Sequence, residues 1–414
     1  MDATLRKAHF FRRASFGATS AELYSNSSPS DYLSSWINAP ISVNVPYLGA
    51  IGDNSDRGKQ ITQLYNWLLN QMITAPNPLH ERMVNFWRDH FTVSIRNGMP
   101  AQAIADYEIR LRGFALGDFR DLLYSVATSP AMLRYLNNEQ NRVGNINENF
   151  SREVMELFTL GVGNYTEKDV QEGARALTGW IVKTDKEAGV VTAEFQTSRF
   201  DSKPKTYLGA TGNLKTEDLV DILANHPATA KFLATKLWST FVYPNPEPGI
   251  VNYLADTFTK YNRSIGAMVN LMFSIKQFYS DRAYRTRIKN PINFMVGALR
   301  QLEIKASYEK VIQTLRSMGQ VPYDAPTVKG WAEGEGWLNA PSLLTRLNAA
   351  RQLTQDYGAG DANGFNYNPR FSADQLFSLL LDNQADQNVR NTANGLSTRD
   401  TAALVLSAPT YQLY

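Results

Sequence analysis

The chain has no cysteine among its 414 residues, which excludes disulfides, thiolate zinc sites and thiol nucleophiles together. Histidine is scarce, confined to His9, His80, His90 and His226, so a metal would have to be held by these and by carboxylates. No stretch approaches the roughly 18 consecutive apolar residues of a membrane span. An excess of one charge is missing as well. The 42 basic residues face 39 acidic ones, for a formal net charge of +3, and no run of Lys or Arg exceeds two. A nucleic-acid binder shows a clustered basic face, so no nucleic acid is expected as a partner. The phosphate-cradling and hydrolase signatures are absent too. "GVG" at 161–163 lacks the third glycine and the strand–helix context of a dinucleotide fingerprint, and GxxxxGK[ST], HExxH and GxSxG do not occur. No cofactor is implied, and the oligomeric state is left open.

What is present is a composition of 43% hydrophobic and 20% charged residues, that of a folded soluble chain. Apolar periodicity predicts a mainly α protein, with helices over roughly 56–75, 79–92, 99–113, 149–160, 167–178, 227–242, 264–274, 290–303 and 341–355. "IVKTDKEAGVVTAEFQ" (181–196) reads as two β-rich runs around a polar turn, a small hairpin inserted between helices. The breaks at "PNPEPG" (244–249) and "KGWAEGEG" (329–336) are too short for flexible interdomain linkers. "DYGAGDANGFNYNPRFS" (356–372) reads as a long surface loop. "FFRRASFG" (10–17) resembles a twin-arginine export signal, but the polar "ATSAELYSNSSPSDYL" after it cannot serve as an apolar middle. The expected location is cytoplasmic if the chain is complete as given, and the cell envelope or the exterior if a leader was removed.

Three stretches carry residues suited to chemistry. On a helical projection of "LHERMVNFWRDHF" (79–91), Leu79, Met83, Val84, Phe86, Trp87 and Phe91 fall on one arc, and Glu81, Arg82, Asn85, Arg88 and Asp89 on the other. His90 lies within the apolar arc, where a buried imidazole needs a carbonyl or carboxylate partner or else serves a site. In "NENFSREVMELFTLGVGNYTEKDV" (147–170), Phe150, Val154, Leu157, Phe158 and Leu160 form the apolar arc, with Glu148, Arg152 and Glu156 stacked opposite as a ladder of ion pairs. Glu153 projects at the edge of the apolar arc, so it should be paired with a base or have a raised pKa, as a general acid or base requires. The asparagine-rich run before it, including Asn147 and Asn149, suits tight turns and offers side-chain amides. Gly161 should end this helix, and Thr166 with Asp169 should cap the next, which buries Val170, Gly173, Ala174 and Leu177 and leaves Lys168, Glu172 and Arg175 outside. His226, before Pro227, is placed at the start of a further helix. In "PTVKGWAEGEGWLNAPSLLTRLN" (326–348), Gly330, Gly334 and Gly336 interleave with Trp331 and Trp337 ahead of a helix starting near Asn339. Glycines allow a close backbone approach, and the indoles serve either as buried anchors or as flat walls for a ligand.

"RRASFG", "NFWRDHF", "NENFSREVMELFTLGVGNYTEKDV…ARALTGW", "KTYLGATGN", "HPATAKFLATKLW", "MGQ…PTVKGWAEGEGWLNAPSLLTRLN" and "LSAPTYQ" occur in that order. Together they closely resemble the DUF1800 family of bacterial proteins over essentially the whole chain. The resemblance implies one continuous domain over 1–414. It also implies work at the cell envelope beside a sulfatase-like companion protein, although it supplies no mechanism. Two departures stand out: many relatives carry His where this chain has Phe200, and some carry His at Phe158.

Three readings follow. In the first, a hydrolase or transferase acts on a glycan or other polymer. Glu153 is its general acid/base, His90 the partner or second base, and Arg152 the holder of an anionic group; Asn147, Asn149, Glu156, His226, Lys329, Trp331 and Trp337 bind substrate. In the second, the protein is a non-catalytic scaffold and the same polar residues are an internal brace. In the third, His90, Glu153, Glu156 and His226 hold a metal.

Overall fold

The computed structural model of the protein describes residues 1–41, 43–355 and 364–414. Each anticipated helix is present within about two residues of its expected ends, among them Asn54–Thr74, Pro78–His90, Ala101–Phe114, Pro227–Phe241, Pro291–Gln301 and Ala340–Thr354. The end signals work as chemistry dictates. Asn77, Asn290 and Asn339 each accept a backbone N–H in the first turn of their helices, with Pro following in that turn, since proline has no donor to lose there. Trp180–Asp185 pairs antiparallel with Val190–Phe195 as the expected hairpin. "KTYLGATGN" supplies a second one, Lys205–Tyr207 with Ala210–Gly212. Part of the expected 356–372 loop lies outside the described residues; beyond it, Phe365–Asn366 pairs with Lys305–Ala306.

The buried apolar side chains form one connected core running from Ala8 to Tyr411. Among the described residues no helix is long and apolar enough to cross a membrane. "FFRR" sits inside this core: Phe10, Phe11 and Arg13 are fully buried, and Arg12 pairs with Asp382 at 2.7 Å.

The Pro78–His90 helix departs most from its projection. Its polar arc does not face water. Every residue of the helix except Asp89 is buried, Glu81, Arg82 and Arg88 included, because the Asn54–Thr74 and Ala101–Phe114 helices cover it. Charges are tolerated there only when mutually satisfied. Arg88 reaches both oxygens of Glu108 at 2.6 and 2.9 Å, Arg112 reaches Glu108 at 2.8 Å and both oxygens of Glu81 at 2.6 Å, and the Tyr323 hydroxyl donates to Glu108. Two carboxylates and two guanidinium groups form a neutral internal brace. Burial alone would raise the Glu108 carboxyl, but Arg88 and Arg112 bring it down to about 2.

A similar correction applies to Glu172, expected outside. The second hairpin covers it, and it accepts from Lys168 at 2.9 Å, Arg175 at 2.8 Å and the Thr206 amide at 3.1 Å.

Candidate functional site

The 149–160 helix is not uniform. Asn149–Glu153 is α-helical and Val154–Thr159 is a π-helical turn, a local widening that is frequent at functional sites. The change of pitch interrupts the 100° projection after Glu153, so the charged ladder holds from Glu148 to Arg152 but does not extend to Glu156. Arg152 turns outward and pairs with Glu167 at 2.7 Å and Glu148 at 3.4 Å. Glu156 accepts from the Tyr165 hydroxyl at 3.1 Å. Glu153 is half-buried, and its carboxyl is raised by burial and by neighbouring Glu156, with Lys329 and Arg152 opposing.

The helix does meet His90, but through its backbone. Gly161, at φ +75°, ends the turn as expected, and the last carbonyls of a helix need outside donors. His90 Nε2–H donates to the Phe158 carbonyl at 3.0 Å. The Lys236 ammonium donates to His90 Nδ1 at 3.3 Å and to the Leu157 carbonyl at 3.5 Å. Both ring nitrogens are thereby occupied and the tautomer is set. Burial, then the Lys236 charge, hold the imidazole well below its usual pKa, which favours the neutral ring. The expected Glu153–His90 pair is not formed.

The remaining sequence-derived candidates divide. His226 caps the Pro227–Phe241 helix, its Nδ1 accepting from the Ala228 amide at 3.1 Å. Asn147 accepts from the Asn149 amide at 3.0 Å, and Asn149 donates to the Leu136 carbonyl at 3.2 Å; these are turn-fixing bonds. Among the described residues no three His, Asp or Glu side chains gather as a metal group, so the quartet His90, Glu153, Glu156 and His226 does not come together. Its histidines are committed to a carbonyl, an ammonium and a helix cap. Lys329, Trp331 and Trp337, by contrast, join His90 around one cleft.

That cleft is built from distant segments. The Thr327–Gly330 turn carries Lys329 and Trp331 over the end of the Pro78–His90 helix. Gly330 has φ +87°, and a Cβ there would lie 3.3 Å from the Asp89 carbonyl oxygen, so glycine is what lets the turn approach. Opposite, the chain around Leu413 pairs with Ile288, and Tyr414 exchanges backbone hydrogen bonds with Arg287, placing both side chains in the wall. Arg13 lies behind: its guanidinium stacks 4.7 Å from the Tyr414 ring centre, and its carbonyl accepts from Arg82 Nε at 3.4 Å. Three of the motifs that carry the family resemblance, "NFWRDHF", "HPATAKFLATKLW" and "MGQ…PTVKGWAEGEGW", contribute residues to the cleft lining; "KTYLGATGN" instead covers Glu172.

The chemistry centres on a residue that the projection did not single out. Asp89 lines the cleft, partly exposed, and its carboxyl accepts no hydrogen bond from any described residue. Burial, together with Glu333, pushes it up to about 7 against the pull of Arg88, Arg82 and Lys236. Lys236, pushed below the usual range by burial, and Arg82 stand in the same lining. Lys236 left one trace in the sequence, a lone charge about 60° from Leu233 on a helix projection, at the edge of the apolar face. Asp89 left none, since it sat among polar neighbours that looked solvated.

Comparison with curated proteins and with solved structures gives no match. The family described as "Protein of unknown function (DUF1800)" matches residues 9–413, and with nearly the whole chain covered, the protein belongs to that family.

Proposed function

We propose that the cleft is an acid–base reaction site of a hydrolase or transferase, with Asp89 as the proton-transfer group. One observation carries the reading. Asp89, partly exposed at the cleft, has no hydrogen-bond or ion-pair partner among the described residues, in a protein that pairs its deeply buried carboxylates Glu81, Glu108 and Asp382 with arginine. A carboxyl that ionises near neutrality suits both directions of proton transfer. It takes a proton from an attacking water or hydroxyl as the new bond to oxygen forms, and returns it to the leaving oxygen as the old bond breaks. Lys236 and Arg82 supply positive charge for the oxygen that becomes anionic, and His90 positions Lys236. Trp331, partly exposed, offers a flat face suited to a sugar or another polymer unit, while Trp337 is buried and anchors the loop. The family resemblance supports work at the cell envelope beside a sulfatase-like companion.

The test uses para-nitrophenyl phosphate, sulfate, acetate and glycosides as probes. We expect turnover of at least one class with a rate that breaks near pH 7, the ionisation of Asp89, and a loss of about 10²–10⁴-fold in kcat/KM on Asp89→Asn. Turnover indifferent to Asp89→Asn refutes the assignment. Turnover lost only in Glu153→Gln returns the role to Glu153.

A second reading, a non-catalytic scaffold, draws on the Glu81–Arg112–Glu108–Arg88 brace, the densest charged network near the cleft, which is closed and satisfied. It expects no turnover of any probe.

A further inference from the structure

Four cationic side chains line the cleft, Arg82, Lys236, Arg287 and Lys329, and none forms an ion pair with a described residue. Arg82 is 3% exposed. Its Nη1 donates to Asn293 at 2.5 Å and its Nε to the Arg13 carbonyl, while Nη2 is buried with no partner. Arg287 is equally idle: its Nε is buried and unpartnered, and no described group accepts from the rest of its guanidinium. Behind them Arg13, fully buried, leaves Nε and Nη1 unsatisfied. Burying guanidinium groups without acceptors is costly; Arg88 and Arg112 are satisfied, while Arg12, Arg199 and Arg346 outside the cleft lining also keep a buried N–H without a partner, so it is the gathering of Arg82 and Arg287 in one lining that marks this cleft. Burial would raise the Tyr414 hydroxyl, but Arg287, Arg82 and Arg13 around it bring it below its usual value, so Tyr414 offers these arginines part of a counter-charge and an incoming oxyanion would supply the remaining acceptors.

We infer that Arg82, Arg287 and Lys236 form a cradle for a tetrahedral oxyanion, a phosphoryl or sulfuryl group carried by the substrate. Planar guanidinium forks match such oxygens two at a time. The volume agrees. The cleft holds about 90 Å³, below the roughly 300–1,000 Å³ of pockets that enclose a whole small molecule. It therefore takes in one charged substituent while the rest of the substrate lies outside along Trp331 and Lys329. The Asp89 and Glu333 carboxyls stand in the same lining. This inference rests on the cleft being the reaction site, but not on Asp89 being its acid.

The test is calorimetric titration of the full chain with inorganic phosphate, inorganic sulfate and acetate at physiological ionic strength. We expect saturable binding of phosphate or sulfate, one per chain, at least tenfold tighter than acetate, and the tighter of the two names the substituent. Arg287→Gln, in the half-buried wall, should weaken it at least tenfold even if Arg82→Gln proves unfoldable. Asp89→Asn should bind equally well or more tightly above pH 7, because a competing negative charge is gone. Absence of saturable binding, equal binding by Arg287→Gln, or acetate binding as well as the tetrahedral ions overturns the cradle. If binding behaves as expected while turnover ignores Asp89→Asn, the acid–base assignment fails and the cradle stands.

Discussion

Replacing Asp89 by Asn should stabilise the protein at alkaline pH and do nothing of the kind in acid. The folded protein raises this carboxyl from its ordinary 3.8 to about 7, so it favours the protonated form. The sign follows. Its contribution is complete below pH 4, declines as pH rises from about 4 to 7, and is lost above, where the fold must hold an unpaired carboxylate. At about 1.4 kcal/mol per tenfold change in proton affinity, the full displacement corresponds to about 4 kcal/mol, with about 1.6 kcal/mol already gone at pH 5. Water reaching the carboxyl through the cleft softens the penalty, so about 2–4 kcal/mol is expected at pH 8. Asn has similar size and cannot ionise, so any constant cost of the substitution cancels when one variant is followed across pH. Urea unfolding of both proteins from pH 4 to 9 measures it: the stability of Asp89→Asn relative to wild type should climb through pH 5–7 and then level off. A difference that is flat with pH, or one that moves in favour of wild type in alkali, would refute the claim that Asp89 is held unpaired. Coupled with lost turnover, the expected result is the mark of a residue kept for chemistry at the expense of stability.

The brace beside the cleft should behave in the opposite way. Glu108→Gln leaves Arg88 and Arg112 without their shared anion and should cost about 3–5 kcal/mol at pH 7. Because the Glu108 carboxyl is depressed to about 2, its stabilisation is present above about pH 4.5 and lost as pH falls toward 2, so the gap between variant and wild type should close in acid unfolding curves. Arg152→Ala, by contrast, removes only surface pairs with Glu148 and Glu167; it should lower stability by less than about 1 kcal/mol, and leave turnover of any responsive nitrophenyl probe unchanged.

The contrast between Arg152 and Lys236 shows where a linear reading of the chain stops. The helices were legible because periodicity, prolines at first turns and asparagine caps are local properties. Gly161, Thr166 with Asp169, and the start of the helix after Asn339 all behave as the sequence prescribes. His90 was legible as a buried imidazole with a carbonyl partner, since its position on the apolar arc demanded one. Glu153 was legible as a carboxyl raised by burial at the edge of the apolar arc, but its expected meeting with His90 was not formed, because the π-helical turn that follows presents the Phe158 carbonyl to His90 instead. Asp89 was passed over because a polar helix face looks solvated until a distant segment, here the Thr327–Gly330 turn, is laid over it.

Local chemistry in the chain determined which segments are helical, where they begin and end, that the protein is mainly α, and that thiol chemistry is excluded. Only the tertiary structure decided which charges are satisfied. Whether Arg88 finds Glu108 twenty residues away, or Arg82 is left short of an acceptor while Asp89 faces a cleft, depends on which helices stack. Electrostatic pairing is set by distance in space and by the water removed between groups, and neither is written in the order of residues.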